Sequence, residues 1–433
     1  MTNTREVILD ALMEILEKNQ YSHLVMQGVL GKYGYLEKQE RSFIKRVCEG
    51  TVEQKIRIDY VIDQFSKTKV KKMKPLIRTL LRMGTYQILF MDAVPDAAVC
   101  NESVKLANKR GFASLKGFVN GVLRNIARHK DEIAYPERRQ DEIAYLSIRY
   151  SMPREIIELW LTQYTVQQTE DMLSALLAKR PLTIRMSELL SETEQKALIT
   201  EMEEAGIEVR SSQIPYVFYL EKVDRVSLLP GYDDGKFFVQ DLGSAMVVEM
   251  AGIKEGDYVL DVCAAPGGKA THAAMKLHKT GWVQARDLTA YKVSMIEENI
   301  ERLGLTNIEA VVWDATSPDP EMKEKADVVI ADLPCSGLGV IGRKSDIKYR
   351  ITEESLAQVE ALQREILSVV HTYVKPGGTL MYSTCTVNRR ENEENKEWFL
   401  ANYPFEMMEE KLMLPGKEDS DGFYMVRLKR KEQ

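Results

Sequence analysis

Cysteine is scarce in this sequence and is not arranged for a metal site or a disulfide framework. The 433 residues include five cysteines, Cys48, Cys100, Cys263, Cys335 and Cys385. No two of them stand in the CxxC spacing that zinc sites use, and an odd number of widely separated cysteines does not suit a small disulfide-bonded domain. We therefore expect no metal centre and no disulfide framework.

Long apolar runs are also missing. No stretch approaches the roughly 18 to 20 apolar residues of a membrane-spanning helix. Residues 1–16 predict an amphipathic helix with acidic residues, without the apolar core and cleavage site of a signal peptide. Hydrophobic residues make up 44% of the chain and charged residues 29%, which is typical of a soluble globular protein. We expect a cytoplasmic monomer of two or three domains that has no membrane partner.

A net positive charge is missing as well, although the charge is distributed unevenly. The chain carries −6 overall, which taken alone argues against a nucleic-acid partner. Residues 41–130, however, sum to +12, so that the remainder carries −18. This asymmetry indicates that the N-terminal part binds a polyanion, with solvated helix faces as the alternative.

The stretch around which the rest of the chain is organised runs from Asp257 to His272 and reads DYVLDVCAAPGGKATH. It predicts a buried strand, a glycine turn and the start of a helix, the first step of a doubly wound α/β sheet. The spacing is not GxGxxG, so a nicotinamide fingerprint is poorly matched. Two glycines alone also fit a plain strand-to-helix turn. Asp287, at the end of the next predicted strand, favours a nucleoside-containing ligand because an acid there can accept from ribose hydroxyls.

The periodicity of apolar residues divides the chain into three parts. Residues 1–135 show helical spacing throughout, including one predicted helix at Arg41–Ile58. Residues 136–235 predict a helical connector and a small β-α-β subdomain. Residues 236–433 alternate between strands and helices, which indicates an α/β domain with parallel strands. Its strands are predicted at 258–262, 282–286, 308–313, 327–331 and 378–383.

Five polar or nucleophilic side chains stand where these strands end. They are Asp287, Asp314, Asp332, Cys335 and Cys385. Because the carboxyl ends of parallel strands meet at one edge of a sheet, we expect these side chains to face one cleft. A single such aspartate is usually a helix cap and a single such cysteine a buried filler, but five on one edge favour a functional site.

Two thiols without metal spacing suggest nucleophilic catalysis. The thiolate is the reactive form, and an unperturbed thiol with a pKa near 8.5 is only slightly ionised at neutral pH. We therefore expect the site to lower the pKa of a thiol. Arg343, Lys344 and Lys348 follow Cys335 and are candidates for this role or for holding a phosphate.

The helical part resembles the NusB-like RNA-binding domain. The resemblance rests on Arg41-Ser42-Phe43 with Gly50-Thr51, on Arg78–Ala107 and on Phe118–Ile126. It implies contact with RNA or ribonucleoprotein, in agreement with the charge distribution.

The α/β part resembles the RNA 5-methylcytosine methyltransferases that use S-adenosylmethionine. The resemblance rests on DVCAAPGGKATH, on Trp313–Thr316, on Asp332–Arg350 and on Ser383–Asn392. The pair PCSG and TC is specific, because the single-cysteine DNA cytosine enzymes lack the second thiol. Ser345 stands where a proline is common. Joined to a NusB-like N-terminus, the architecture is similar to that of small-subunit rRNA cytosine-C5 methyltransferases.

This resemblance implies a fold, a cofactor and a partner. The fold is a Rossmann-like S-adenosylmethionine-dependent methyltransferase domain at 236–433, preceded by an all-α NusB-like domain at 1–135 and a small α+β subdomain. The partner is 16S rRNA, free or partly assembled, with the target base unstacked or in a loop. The residues implied to hold S-adenosylmethionine are Cys263, Ala264, Ala265, Pro266, Gly267, Gly268, Lys269, Asp287 at the ribose and Asp314 near the adenine.

The resemblance also implies catalytic roles. Cys385 is the nucleophile that adds to C6 of the cytosine, and Cys335 helps to abstract the C5 proton. Asp332 contacts the cofactor or the base edge. Three alternatives stay open: a tRNA cytosine-C5 methyltransferase, a nucleotide-binding enzyme of similar fold, and a non-enzymatic RNA-binding or antitermination protein.

Overall fold

A computed structural model describes residues 3–432, and its internal contacts divide the chain into two units. The first unit ends at Leu177 and also includes Arg343–Arg350, whereas the rest of the described chain forms the second unit. The predicted boundaries at 135 and 235 stay predictions. Among the described helices, none is long and apolar enough to cross a membrane.

The first unit is helical, as its apolar periodicity predicts. Its helices are α1 (Thr4–Leu16), α2 (Ser22–Lys32), α3 (Lys38–Glu53), α4 (Lys55–Phe65), α5 (Pro75–Phe90), α6 (Asp96–Lys109), α7 (Lys116–Arg128), α8 (Glu142–Tyr150), α9 (Arg154–Gln163) and α10 (Val166–Leu177). Helix α5 is buried along much of its length, including Leu80, Leu81 and Gly84. A Cβ on Gly84 would come within 2.9 Å of the Leu123 side chain, so this glycine permits close packing of α5 and α7.

The prediction of one helix at Arg41–Ile58 is wrong, because α3 ends and α4 begins on either side of Gln54. The backbone of Gln54, at φ −93° and ψ 12°, departs from the α-helix, and its N–H caps α3 through the carbonyl of Gly50. Buried residues continue on both sides of this break, at Val52 and Ile58. A sequence pattern that reflects only which residues are buried therefore does not reveal the break between α3 and α4.

The segment Arg343–Arg350 belongs to the first unit and completes the end of α3. The ammonium of Lys348 donates to the carbonyl of Glu53 at 2.7 Å, and the hydroxyl of Tyr349 donates to the carbonyl of Val52 at 2.7 Å. These bonds satisfy carbonyl groups at a helix C-terminus, which otherwise lack intrahelical partners. Burial lowers the pKa of Lys348 to about 7. The expectation that Lys348 activates a thiol or holds a phosphate is wrong, because its ammonium is buried and committed to this cap.

The second unit begins with a small antiparallel sheet. Strands β1 (Leu182–Met186), β2 (Glu208–Ser211), β3 (Val217–Glu221) and β4 (Phe237–Val239) lie in the order β2-β3-β1-β4, and helix α11 (Glu192–Glu204) follows β1. The sequence predicted a small β-α-β subdomain here. Strand β4 was not predicted because it is short and pairs with β1, which lies about fifty residues earlier in the chain.

The main sheet contains the five predicted parallel strands and two further strands. Its elements are α12 (Leu242–Ala251), β5 (Tyr258–Asp261), α13 (Gly268–Lys276), β6 (Trp282–Asp287), α14 (Ala290–Arg302), β7 (Ile308–Val312), β8 (Ala326–Asp332), α15 (Glu353–Val370), β9 (Val374–Thr384), α16 (Glu393–Asn402), β10 (Phe405–Met413) and β11 (Phe423–Arg430). The strand order is β10-β11-β9-β8-β5-β6-β7. Strands β5 to β9 run parallel, whereas β10 and β11 are antiparallel additions. The order reverses at β5, where ligands bind in sheets of this type.

Candidate active site

The turn after β5 brings its backbone close to neighbouring elements. The N–H of Ala264 donates to the carbonyl of Arg286 at 2.8 Å, which ties the turn to β6. Gly267 has φ +102°, a conformation that other residues rarely adopt, and directly precedes α13. A Cβ on Gly268 would lie 3.1 Å from the Phe238 ring. Gly267 therefore permits the backbone conformation of the turn, and Gly268 permits the close approach of Phe238 in β4.

A cavity of about 180 Å³ lies between this turn and the segment that joins β4 to α12. It is lined by Phe238, Val239, Gln240, Asp241, Ser244, Asp261, Cys263, Ala264, Ala265, Pro266, Gly268, Lys269 and Asp332. The sequence predicted the wall formed by the glycine turn. It missed the wall at 238–244, where the only local signal is a short apolar run followed by polar residues, GKFFVQDLGS.

Asp261 closes β5 inside this cavity and is buried. Burial raises the pKa of its carboxyl group to about 7, and the nearby Asp332 and Asp287 add to this effect while Lys269 opposes it. One oxygen, Oδ1, lies 3.4 Å from the N–H of Cys263, and Oδ2 has no hydrogen-bond partner within residues 3–432. A buried carboxyl oxygen without a partner is costly, so a ligand that donates a hydrogen bond fits this cavity.

Two of the predicted cofactor aspartates, Asp287 and Asp314, differ from each other. Asp287 is buried, and its carboxylate accepts from the N–H of Ala265 at 3.0 Å and from that of Leu288 at 2.7 Å, with Lys292 Nζ at 2.9 Å. Asp287 thus holds the glycine turn as well as ending β6. Asp314 is exposed and accepts from the N–H and hydroxyl of Thr316, an arrangement that lowers the pKa of its carboxyl group. Neither residue lines the cavity.

Lys269 and Asp332 meet at one end of the cavity. The Nζ of Lys269 lies 2.6 Å from Oδ2 of Asp332, and Oδ1 of Asp332 accepts from the hydroxyl of Ser383 at 2.7 Å. The carboxylate therefore links α13 to the ends of β8 and β9. Its partial exposure leaves it accessible from the cavity.

The two predicted catalytic cysteines lie side by side. The Sγ atoms of Cys335 and Cys385 are 3.1 Å apart, and both side chains are partly exposed. The loop after β8 is bonded to the end of β9 at Leu333, whose N–H donates to the carbonyl of Ser383 at 3.0 Å. It is bonded to the loop after β9 at Gly339, whose N–H donates to the carbonyl of Cys385 at 3.1 Å. The two thiols therefore lie together, as their positions after neighbouring parallel strands predicted.

The electrostatic expectation for the thiols is wrong in the case of Cys335. The hydrogen bond with Cys385 and then burial raise the pKa of Cys335 well above its ordinary value, and the charge of Glu391 contributes in the same direction. Within the described part of the chain, no group of three or more His, Cys, Asp or Glu side chains is arranged to hold a metal ion.

Two family models match the chain. The NusB family matches residues 2–128, and the family described as 16S rRNA methyltransferase RsmB/F matches residues 248–429. These matches confirm both resemblances on which the predicted fold class rests.

Relatives of known name match nearly the whole chain. The probable ribosomal RNA small subunit methyltransferase B of Bacillus subtilis (strain 168) is 32% identical, over 99% of this chain and 99% of its own length. The ribosomal RNA small subunit methyltransferase B of Serratia proteamaculans (strain 568) is 30% identical, over 98% of each chain.

Solved structures share the fold. The crystal structure of PH0851 matches with a TM-score of 0.82 and 25% identity, over 100% of this chain and 99% of that one. The structure of NSun6 from Pyrococcus horikoshii with SFG matches with a TM-score of 0.59 and 21% identity, over 65% of this chain and 99% of that one. The predicted helical domain followed by a Rossmann-like methyltransferase domain is confirmed.

Proposed function

Because the chain belongs to the RsmB/F family of 16S rRNA methyltransferases, we propose that it transfers a methyl group from S-adenosylmethionine to C5 of a cytosine in small-subunit rRNA. The observation that carries this proposal is the contact between Cys335 and Cys385 at the ends of β8 and β9. Cytosine C5 is not nucleophilic enough to accept a methyl group unaided. Two adjacent thiols can overcome this low reactivity, because one can activate the ring and the other can complete the substitution.

The proposed cofactor would occupy the cavity beside the glycine turn and extend beyond it toward the ends of β6 and β7. Residues Cys263 to Lys269 would hold it, with Asp287 at the ribose hydroxyls and Asp314 near the adenine. The unpartnered oxygen of Asp261 offers an acceptor for a donor on the ligand. When bound, S-adenosylmethionine supplies an electrophilic methyl group on a positively charged sulfur.

The roles of the cysteines follow from the order of bond making and breaking. The thiolate of Cys385 forms a bond to C6 of the cytosine, which makes C5 electron-rich. Once Cys385 is bonded to C6, its hydrogen bond no longer raises the pKa of Cys335, and Cys335 releases its own proton to solvent. After C5 is methylated, the thiolate of Cys335 accepts the proton from C5. The electrons of the C5–H bond then re-form the C5–C6 double bond, and Cys385 leaves as a thiolate. The family pattern supports this assignment, because Cys385 is the cysteine of the TC motif and Cys335 that of the PCSG motif.

The base edge needs polar partners beside the thiols. Asp332 ends the strand that leads to Cys335, and its contacts with Lys269 and Ser383 fix its orientation. We assign to Asp332 a contact with the cofactor or with the base edge. The target cytosine must leave its stack or lie in a loop, because C5 and C6 are otherwise shielded.

The first unit supplies affinity for the RNA backbone. Its most concentrated exposed charge lies on Lys67–Lys74, where all five lysines are exposed. The short helical turn at Val70–Lys72 holds this segment, because Val70 is buried and its N–H donates to Asp63 Oδ1 at 2.7 Å. The lysines are therefore presented on a fixed turn, which suits contacts with successive phosphates.

A methyl-transfer assay tests the proposed function. The purified protein is incubated with methyl-labelled S-adenosylmethionine and, separately, with 16S rRNA transcript, with small subunits from a strain that lacks this gene, and with tRNA. We expect label in the rRNA or in the subunit, recovered as 5-methylcytosine after digestion. Label on tRNA alone supports the tRNA alternative, label on another atom overturns the cytosine-C5 assignment, and no label on any RNA overturns the proposal. Bisulfite sequencing then locates the nucleotide.

A further inference from the structure

Glu391 is a buried carboxylate that joins the two cysteine-bearing loops. Its Oε2 accepts from the main-chain N–H of Ser336 at 2.7 Å, and its Oε1 accepts from the hydroxyl of Ser336 at 2.6 Å and from Nδ2 of Asn388 at 3.0 Å. Its side chain is fully buried. Ser336 follows Cys335 directly, whereas Glu391 and Asn388 lie in the loop that begins at Cys385.

Helix α15 supports the same junction. Nε2 of Gln363 donates to the carbonyl of Pro334 at 2.8 Å and lies 3.3 Å from Oε2 of Glu391. The hydroxyls of Ser336 and Thr386 are 2.8 Å apart. The residues on both sides of Cys335 and the residue after Cys385 are therefore fixed by one buried network.

The composition of this network indicates a role beyond stability. The donors to Glu391 named above are all neutral groups, and their hydrogen bonds stabilise the buried carboxylate. A buried carboxylate is costly to desolvate, and well-packed apolar groups are often at least as stabilising in such a position. The carboxylate has two acceptor oxygens, which an apolar group lacks. Together these oxygens hold both the main-chain N–H and the hydroxyl of Ser336.

We propose that Glu391 is the positioning residue of the cysteine pair, holding Cys335 against Cys385 through its two bonds to Ser336. The arrangement of the two thiols is a property of the protein itself and does not depend on the reaction that it catalyses. Its consequence for turnover rests on the proposed function, in which both thiols act on one base. Glu391 touches neither substrate nor cofactor in this account and acts only through the loop that carries Cys335.

Phenylarsine oxide tests the position of the thiols without any RNA, because the arsenic atom binds two thiols only when they lie close together. The wild-type protein is compared with Glu391→Gln, in which an amide offers one acceptor where the carboxylate offers two. The matched control is Glu394→Gln, which lies three residues on and is exposed. Cys335→Ala and Cys385→Ala give the value for a single thiol.

We expect Glu391→Gln to weaken arsenical binding by about 10- to 100-fold, the usual effect of losing a residue that orients a reactive group. Glu394→Gln should bind as the wild type does. Unchanged arsenical affinity in Glu391→Gln overturns the inference, whatever happens to turnover. Should Glu391→Gln fail to fold, Ser336→Ala removes the hydroxyl that bonds to Oε1 and tests the same link, with weaker arsenical binding again expected and unchanged binding again overturning the inference.

Kinetics then measure the consequence for the reaction. Glu391→Gln should lower kcat by about 10- to 100-fold while KM for RNA and for S-adenosylmethionine changes by less than about twofold, because positioning acts in the transition state. A rise in KM at unchanged kcat overturns the positioning role. If the wild-type protein transfers no methyl group, the proposed function fails, and the arsenical comparison still decides the role of Glu391.

Discussion

The Sγ atoms of Cys335 and Cys385 lie 3.1 Å apart, although the two residues follow different strands and stand fifty positions apart in the chain. The pairing is a product of the parallel arrangement of β8 and β9, whose carboxyl ends meet at Asp332 and Ser383. A single thiol would serve for nucleophilic attack. The second thiol at contact distance gives the site a separate group for the proton that must leave C5.

Asp287 is expected to contribute to cofactor binding. Asp287→Ala should weaken the binding of S-adenosylmethionine by about 1.5 to 3 kcal/mol, the scale of a hydrogen bond that involves a charged group. Isothermal calorimetry measures this directly. The matched control is Asp327→Ala, since Asp327 accepts from the N–H of Tyr258 at 2.8 Å and pairs with Lys375, but stands near the amino end of β8. Unaltered affinity in Asp287→Ala removes Asp287 from the cofactor site.

Asp261 is expected to make stability depend on pH. Burial raises the pKa of its carboxyl group from 3.8 to about 7 in the folded protein. Between about pH 4 and pH 7 the unfolded chain has therefore lost this proton while the folded chain keeps it, so that stability falls as the pH rises through this window. The full shift corresponds to on the order of 4 kcal/mol.

Asp261→Asn, which resembles the protonated carboxyl group, should remove this loss. Between pH 5 and pH 7.5, we expect the melting temperature of the wild type to fall relative to that of the variant. The variant should therefore be relatively more stable at pH 7.5. Scanning calorimetry at the two pH values measures the difference. If the melting temperatures of the two proteins changed equally with pH, Asp261 would be ionised normally in the folded state.

The lysines of Lys67–Lys74 are expected to set the salt dependence of RNA binding. Replacing all five by glutamine should weaken RNA binding and reduce the slope of log affinity against log salt by roughly 0.7 to 0.9 for each phosphate that a lysine no longer neutralises. The control carries five glutamines at exposed lysines of the second unit, Lys196, Lys254, Lys279, Lys323 and Lys325. Fluorescence anisotropy with labelled rRNA fragments gives both slopes. An equal loss of affinity in the two variants would mean that only total charge matters.

Local patterns and the rules of parallel sheets were sufficient for much of the site. The alternation after residue 256 predicted the strands, and the strand-end positions of Asp287, Asp332, Cys335 and Cys385 then followed from topology alone. The roles of these residues stay predictions. They came from motif resemblance, because a strand-end position does not say which thiol attacks.

The features that the sequence did not reveal depend on contacts between distant segments. Lys348 stands in a motif that runs on from Cys335, yet its ammonium caps a helix of the first unit at Glu53. The cavity wall at Phe238 comes from a three-residue strand that pairs with β1. Strand β10 has mostly exposed residues and lacks the alternating pattern of a buried strand. For Lys348 and for the cavity wall the partner lies far away in the chain, so no local signal was available, whereas β10 pairs with β11, which directly follows it.

Denaturing electrophoresis of the protein with labelled target RNA and S-adenosylmethionine tests the two-thiol mechanism most directly. Cys335→Ala should still attack C6 and permit methylation but should not complete release, so a covalent protein–RNA band accumulates. Cys385→Ala should give neither the band nor methylated RNA, because no thiolate attacks C6. A band with Cys385→Ala and none with Cys335→Ala would reverse the two roles, and full turnover by both variants would contradict the mechanism altogether.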